Sequence, residues 1–261
     1  MKDILKKYAL KYGSRFRTRK SHIFCIGAAK TGTTSIAQCL SSDYRTAHEP
    51  ETILTNKLII DKLDGNILNT HLKQELIKRD NRLKLEVESS HPLSYLSQEL
   101  IEVFPKAKFI VTIREPYAWL ESRLNFHYKK KPPEWEEYRN YFWIKKNTKY
   151  KKEEEVLKEY NLCTLETYLK QYAEQYKIIF DHIPAEKMLL IKTDSLNSSI
   201  RNIENFVNVK NGSLKMPITN KEHNKISVLA SIEDIFIREK IWTNCHEIIE
   251  QFFSETTNQY N

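Results

Sequence analysis

Glycine and proline are scarce in this chain, five and eight among 261 residues. That excludes collagen-like, linker-like and other low-complexity architectures, and no internal repeat is visible. Cysteine is equally sparse: Cys25, Cys39, Cys163 and Cys245 have no metal-ligand spacing, so a zinc-ribbon or finger reading falls away. Cys25 and Cys39 lie in a predicted strand and helix and read as buried free thiols, which suits a reducing cytoplasm. No apolar run approaches the roughly 20 residues needed to span a bilayer. The basic stretch from Met1 to Arg19 leads into no apolar signal-peptide core. No Asp-rich run follows an apolar strand, and no metal is expected.

What the chain does have is a globular balance of 40% hydrophobic and 29% charged residues. Its length buries a full core, and residues 1–261 are expected to form one domain. The net charge of +8 implies acidic partners. The basic residues are dispersed and no nucleic-acid motif is present, so nucleic acid is not expected. A doubly anionic nucleotide together with an acidic or membrane-bound glycan accounts for the charge. Residues 1–20, with Ile4, Leu5, Tyr8, Leu10 and Tyr12 among lysines, read as a basic amphipathic segment. It either packs on the domain or contacts the inner membrane surface peripherally.

Strands are expected near 22–28, 44–48, 83–89, 108–113 and 187–193, separated by helical patterns. Alternation of this kind predicts an α/β fold with a parallel sheet flanked by helices, ligands lying at the carboxyl ends of the strands. The first strand runs into Ile26-Gly27-Ala28-Ala29-Lys30-Thr31-Gly32-Thr33-Thr34-Ser35-Ile36. A strand, a glycine turn and a helix N-terminus present unpaired backbone N–H groups to an anion. Gly27 and Gly32 stand five apart, as in the nucleotide-binding pattern G-x-x-x-x-G-K-[ST], but Thr33 occupies the lysine position and Lys30 lies inside the loop. That displacement weakens a nucleoside triphosphate reading and suits a shorter anion. Thr33, Thr34 and Ser35 offer hydroxyls at the helix start.

Lys30-Thr31-Gly32-Thr33-Thr34 resembles the 5′-phosphosulfate loop of sulfotransferases that use 3′-phosphoadenosine 5′-phosphosulfate (PAPS). A second stretch is similar to the same family's 3′-phosphate site: Arg114 ends a strand, Pro116 opens a helix, and Ser122 follows eight residues after the arginine. Here a guanidinium grips the phosphate bidentately and the serine adds a hydroxyl. The resemblance covers roughly residues 22–125. It implies a P-loop nucleotide-kinase-like fold, PAPS as co-substrate, adenosine 3′,5′-bisphosphate as product, and Lys30, Thr31, Gly32, Thr33, Thr34, Ser35, Arg114 and Ser122 as nucleotide ligands. The plainer alternative pairs Arg114 with Glu115 or Glu121 and leaves Lys30 solvated.

Two candidate bases remain open. Glu49, before Pro50 at the end of a strand neighbouring the phosphate loop, resembles the glutamate of glycan sulfotransferases. His91, in Ser89-Ser90-His91-Pro92-Leu93, is similar to the histidine of cytosolic sulfotransferases acting on phenols and steroids. Glu49 is preferred, and His48 is expected on the opposite face if the strand continues through both. Lys30 is the group expected to stabilise the leaving phosphate. An acceptor hydroxyl on a glycan or glycolipid follows from that preference. Residues 128–152, with Pro132-Pro133 and many rings among lysines, form either an acceptor lid or a helix packing Trp135, Tyr138 and Phe142 inward. Lys221 and Lys225 are candidates for a late loop closing over the nucleotide. The rival readings are a phosphotransferase or nucleotide kinase, and a non-catalytic nucleotide-binding partner in glycan assembly.

Overall fold

Residues 19–217 and 227–260 are described in the computed structural model. The basic N-terminal segment up to residue 18 and the candidate lysines Lys221 and Lys225 lie outside the described residues. Five strands, β1 (Ile23–Gly27), β2 (Thr46–His48), β3 (Val87–Ser89), β4 (Lys108–Ile113) and β5 (Met188–Lys192), form one sheet in the order β2-β3-β1-β4-β5. Every neighbouring pair is parallel, with Ile23 opposite Val87 and Lys108, and Val111 opposite Leu190. The expected parallel α/β architecture with flanking helices is the one observed.

Both faces of the sheet are covered, and the period-two alternation of strand side chains explains the division. Phe24 and Ile26 of β1 join Phe109, Val111 and Ile113 of β4 in the larger apolar cluster. Ile23 and Cys25, pointing the other way, pack with Ile110, Val87 and Ile191 in the smaller one. Each fully buried side chain of this size contributes about 1.5–3 kcal/mol. All four cysteines are buried free thiols.

The helices are α1 (Thr33–Leu40), α2 (Thr52–Leu63), α3 (Asn69–Leu83), α4 (Ser97–Val103), α5 (Pro116–Lys129), α6 (Glu136–Arg139), α7 (Glu155–Glu159), α8 (Leu165–His182), α9 (Ile200–Val207) and α10 (Asp234–Phe252). Helix α1 covers the smaller cluster through Ile36, Cys39 and Leu40. Helix α8 lays Leu165, Tyr168, Leu169, Tyr172, Tyr176 and Ile179 on the larger cluster, the i, i+3, i+4 stripe of a core-facing helix. Helix α5 starts where the sequence predicts, with Pro116 in its first turn and Glu115 accepting from the amides of Tyr117 and Ala118. Among the described residues no helix is long and apolar enough to cross a membrane.

Strand β2 is the sheet edge, and β3 separates it from β1. Glu49 therefore does not follow a strand paired with β1, although the end of β2 faces the phosphate loop, with His48 Nε2 3.1 Å from Thr34 Oγ1. It reaches that region across the end of β3, where its amide donates to the Ser89 carbonyl oxygen at 2.9 Å.

Candidate active site

The loop after β1 is tied down through its carbonyl groups. The Ala28 carbonyl oxygen accepts from Thr31 Oγ1 at 2.6 Å, that of Ala29 from Trp119 Nε1 at 2.8 Å, and that of Thr31 from Thr193 Oγ1 at 2.6 Å. The Lys30 carbonyl oxygen lies 3.4 Å from Arg114 Nη1. With the oxygens turned into the protein, the amides of Thr33, Thr34 and Ser35 at the start of α1 have no acceptor among the described residues, leaving a helix end of the kind that attracts anions. Gly27 is required here because a Cβ would stand 2.2 Å from the Thr112 carbonyl oxygen at φ 141°. Lys30 itself has φ 73°, a left-handed backbone that is uncommon outside glycine and is found at functional loops.

Lys30 lines two cavities. The first, about 180 Å³, is also lined by Arg114, Ser122, Asn125, Lys129 and Glu121. Arg114 makes no ion pair with Glu115 or Glu121 among the described residues: Glu115 caps α5 and accepts from Tyr260, while Glu121 accepts from Ser227 at 3.2 Å. The second cavity, about 210 Å³, brings Lys30, Thr33 and Thr34 together with His48, Glu49 and His91. Of the predicted phosphate-loop hydroxyls, that of Thr31 is fully buried between Ala28 and Thr112 and faces no cavity. Thr34 and Thr33 stand 3.1 and 3.4 Å from His48 Nε2. Ser35 is buried.

Glu49 and His91, alternatives in the sequence, form one unit. His91 Nδ1 donates to Glu49 Oε1 at 2.6 Å. Burial alone raises the Glu49 pKa, but His91, His48 and Arg123 outweigh it, so the carboxyl lies below its ordinary value. Burial also lowers the pKa of His91, against the pull of Glu49. The pair is thus an ionised carboxylate and a neutral imidazole. The condition set for His48 is not met: β2 ends at His48, and Glu49 turns to φ 49°, so both residues line the same cavity. Glu51 is left-handed as well, at φ 53°. Arg79 of α3 clamps this turn, donating to the Pro50 carbonyl oxygen at 3.0 Å and to both oxygens of the buried Glu88 at 2.6 Å.

Over residues 128–152 the rings of Tyr138, Phe142 and Trp143 pack into the core. Trp135 remains half-buried and stacks on His91, with centroids 4.8 Å apart. The segment is broken into a short turn over Pro133–Trp135, the single turn α6 and a π turn over Asn140–Ile144. Among the described residues no group of three or more His, Cys, Asp or Glu side chains converges as a metal site.

A family model described as "Sulfotransferase domain" matches residues 22–225, most of the chain. The chain belongs to the sulfotransferase family. Its activity is therefore sulfotransfer, and its fold is the family's α/β fold. No curated protein matches it. A sulfotransferase structure from Alicyclobacillus acidocaldarius aligns at 17% identity over 90% of this chain and 97% of that one, with a TM-score of 0.47. Sulfotransferase STF9 from Mycobacterium avium aligns at 13% identity over 95% and 81%, with a TM-score of 0.46. Likeness at that level says nothing of donor or acceptor.

Sequence reasoning about this sulfotransferase misses Arg123, Phe126 and His127, all on α5 and all lining the second cavity. The signal is present: Trp119, Arg123 and His127 recur at i, i+4, i+8, and all three are buried. A charged residue on the apolar stripe of a helix breaks the pattern and marks itself.

Proposed function

We propose that the enzyme moves the sulfuryl group of PAPS to a hydroxyl of a glycan or glycolipid acceptor. One observation carries the reading: Lys30 is shared by a cavity with Arg114 and Ser122 and a cavity with Glu49 and His91. The residues present fit the donor. Arg114 and Ser122 would take the 3′-phosphate, and the start of α1 with Lys30 would take the 5′-phosphosulfate.

In the step itself the acceptor oxygen attacks sulfur while its proton passes to Glu49. The bond between sulfur and the bridging oxygen breaks, and its electron pair stays on that oxygen as part of adenosine 3′,5′-bisphosphate. The Lys30 ammonium balances the charge growing there. Glu49 suits the base better than His91. The Glu49 side chain keeps 20% exposure and a second oxygen beyond the one His91 holds. His91 Nε2 is enclosed and without a partner, so an acceptor hydroxyl has no direct path to it. His91 then orients and stabilises the carboxylate.

The test is a thermal-shift comparison. Adenosine 3′,5′-bisphosphate should stabilise the chain more than AMP or ATP with Mg²⁺; a ligand at one hundred times its Kd adds about 2.7 kcal/mol. Equal shifts from the bisphosphate and AMP would remove the 3′-phosphate assignment. A larger shift from ATP with Mg²⁺ would favour a phosphotransferase.

A further inference from the structure

The second cavity contains a cation that the sulfuryl-transfer step does not use. Arg123 is 6% exposed and lines the cavity on the α5 side. Burial of a guanidinium is costly unless an anion and hydrogen-bond acceptors compensate, and breaking such a pair leaves a strongly unfavourable charge. Among the described residues Arg123 makes no ion pair and no hydrogen bond. Its Nε is enclosed without a partner, and its contact is with the face of Trp143, 5.1 Å to the ring centroid. By contrast the other strongly buried arginine, Arg79, holds Glu88 through two bonds of 2.6 Å.

The rest of the cavity has the same sign. Arg139 and Lys130 line its mouth, and Arg139 is held in place by donation to the Pro132 carbonyl oxygen at 2.6 Å. His127 is kept neutral by burial, with its Nδ1 2.8 Å from the Tyr168 hydroxyl. Glu49 is the one carboxylate among the cavity's described residues; it attracts Arg123 through space but makes no ion pair with it, and His91 holds one of its oxygens. The walls between these charges are the rings of Phe126 and Trp135, flat apolar surfaces that suit the C–H faces of a pyranose.

We propose that the acceptor is itself an acid: a sugar unit bearing a carboxylate, sulfate or phosphate, whose anionic group pairs with Arg123 while its hydroxyl lies at Glu49. The inference rests on the assignment of this cavity to the acceptor. It makes Arg123 a specificity-determining residue, because a neutral acceptor leaves the buried guanidinium without a paired anion.

The experiment uses the full chain saturated with adenosine 3′,5′-bisphosphate. Methyl β-D-glucuronide and methyl β-D-glucoside, which differ by a carboxylate against a hydroxymethyl group, are titrated by calorimetry. The glucuronide should bind about 10- to 100-fold more tightly, the range of a hydrogen bond to a charged group. Arg123→Gln should abolish the gap and leave binding of the bisphosphate unchanged, while Arg123→Lys keeps part of it. Equal binding of the two sugars by the wild-type chain overturns the proposal. So does a gap that survives Arg123→Gln, or an Arg123→Gln variant that weakens PAPS while keeping the acid preference, since Arg123 would then serve the donor. Should Arg123→Gln fail to fold, glucose 6-phosphate decides in the wild-type chain: it must compete with the glucuronide for one site, and failure to compete overturns the proposal. Because the readout is binding, the two readings fail separately. A chain that prefers the glucuronide yet transfers no sulfuryl group keeps the acid site and loses the PAPS assignment. A chain that sulfonates neutral sugars without preferring acids does the reverse.

Discussion

The two cavities that share Lys30 are built by different means. On the Arg114 side the architecture is local: Lys30 from the loop after β1 meets Arg114, Glu121, Ser122, Asn125 and Lys129, all from one strand–helix junction. On the Glu49 side it is side chains from distant segments: His48 at the end of β2 and Glu49 after it, His91 after β3, Arg123 and Phe126 from α5, and Trp135 from the segment beyond. A site for one phosphate needs a cation and a hydroxyl, which a short contiguous stretch supplies. An acceptor site needs a shape, and shape is assembled from several elements. The first kind of site is generic to the end of a parallel sheet, and the second is where one enzyme differs from another.

The comparison is broken most severely at the base. Glu49→Gln should lose about 10²–10⁴-fold in kcat, measured as sulfuryl transfer from PAPS, with adenosine 3′,5′-bisphosphate binding intact. A His91→Asn variant that is inactive while Glu49→Gln retains most activity would reverse the roles. The pH profile sharpens the point. A carboxylate held below its ordinary pKa is ionised throughout pH 6–7.5, so kcat/KM should be flat there.

Next in size is Lys30→Ala, the residue both cavities share. Removing a group that stabilises developing charge should cost about 10²–10³-fold in kcat, with donor KM changing far less. A normal kcat with a raised donor KM would make Lys30 a ground-state phosphate ligand only. Smaller still, Arg114→Ala should erase the thermal-shift preference for adenosine 3′,5′-bisphosphate over AMP, a loss of about 1.5–3 kcal/mol. The same variant should leave glucuronide binding in the other cavity unaltered, and a loss in both would show that the cavities do not act separately.

The mildest effect is on acid stability. His91 and His127 both have pKa values lowered by burial in the folded chain. Below the ordinary histidine value of 6.5 the unfolded chain binds protons that the folded one does not. The stability present above that pH is therefore lost as pH falls. Glu49 adds a loss of the same sign below its ordinary value of 4.5. Melting temperature followed from pH 7.5 to 5 should decline, and His91→Asn should make the decline shallower. An unchanged slope would mean that His91 is not buried neutral.

Much of the molecule is legible in order along the chain. All five expected strands are present, and β1, β4 and β5 fall in place because they read as short apolar runs bounded by turns. The start of β3 does not: the pattern predicts a strand from residue 83, but α3 runs to Leu83 and the chain turns left-handed at Lys84 before entering the sheet. The hydroxyl of Thr31 belongs to the motif by position, yet it is turned to Thr112, a strand away. The rings of residues 128–152 admit two readings because helical spacing alone does not say which face meets a ligand. Tyr138 and Phe142 go to the core and Trp135 to His91.

The sequence by itself determined the alternation of strands and helices, the glycine loop with its internal lysine, and the placing of Arg114 and Ser122 on one strand–helix junction, because local spacing dictates backbone conformation and which side chains share a helix end. Only the tertiary structure decided that β3 lies between β2 and β1, that Glu49 and His91 are one hydrogen-bonded pair rather than two candidates, and that Arg123 is buried without an ion pair or hydrogen bond among the described residues. Strand order, a left-handed turn at Glu49 clamped by Arg79, and the burial of a charge all depend on which distant segments close-pack together. Close packing is a property of the assembled core, which no local stretch of sequence contains.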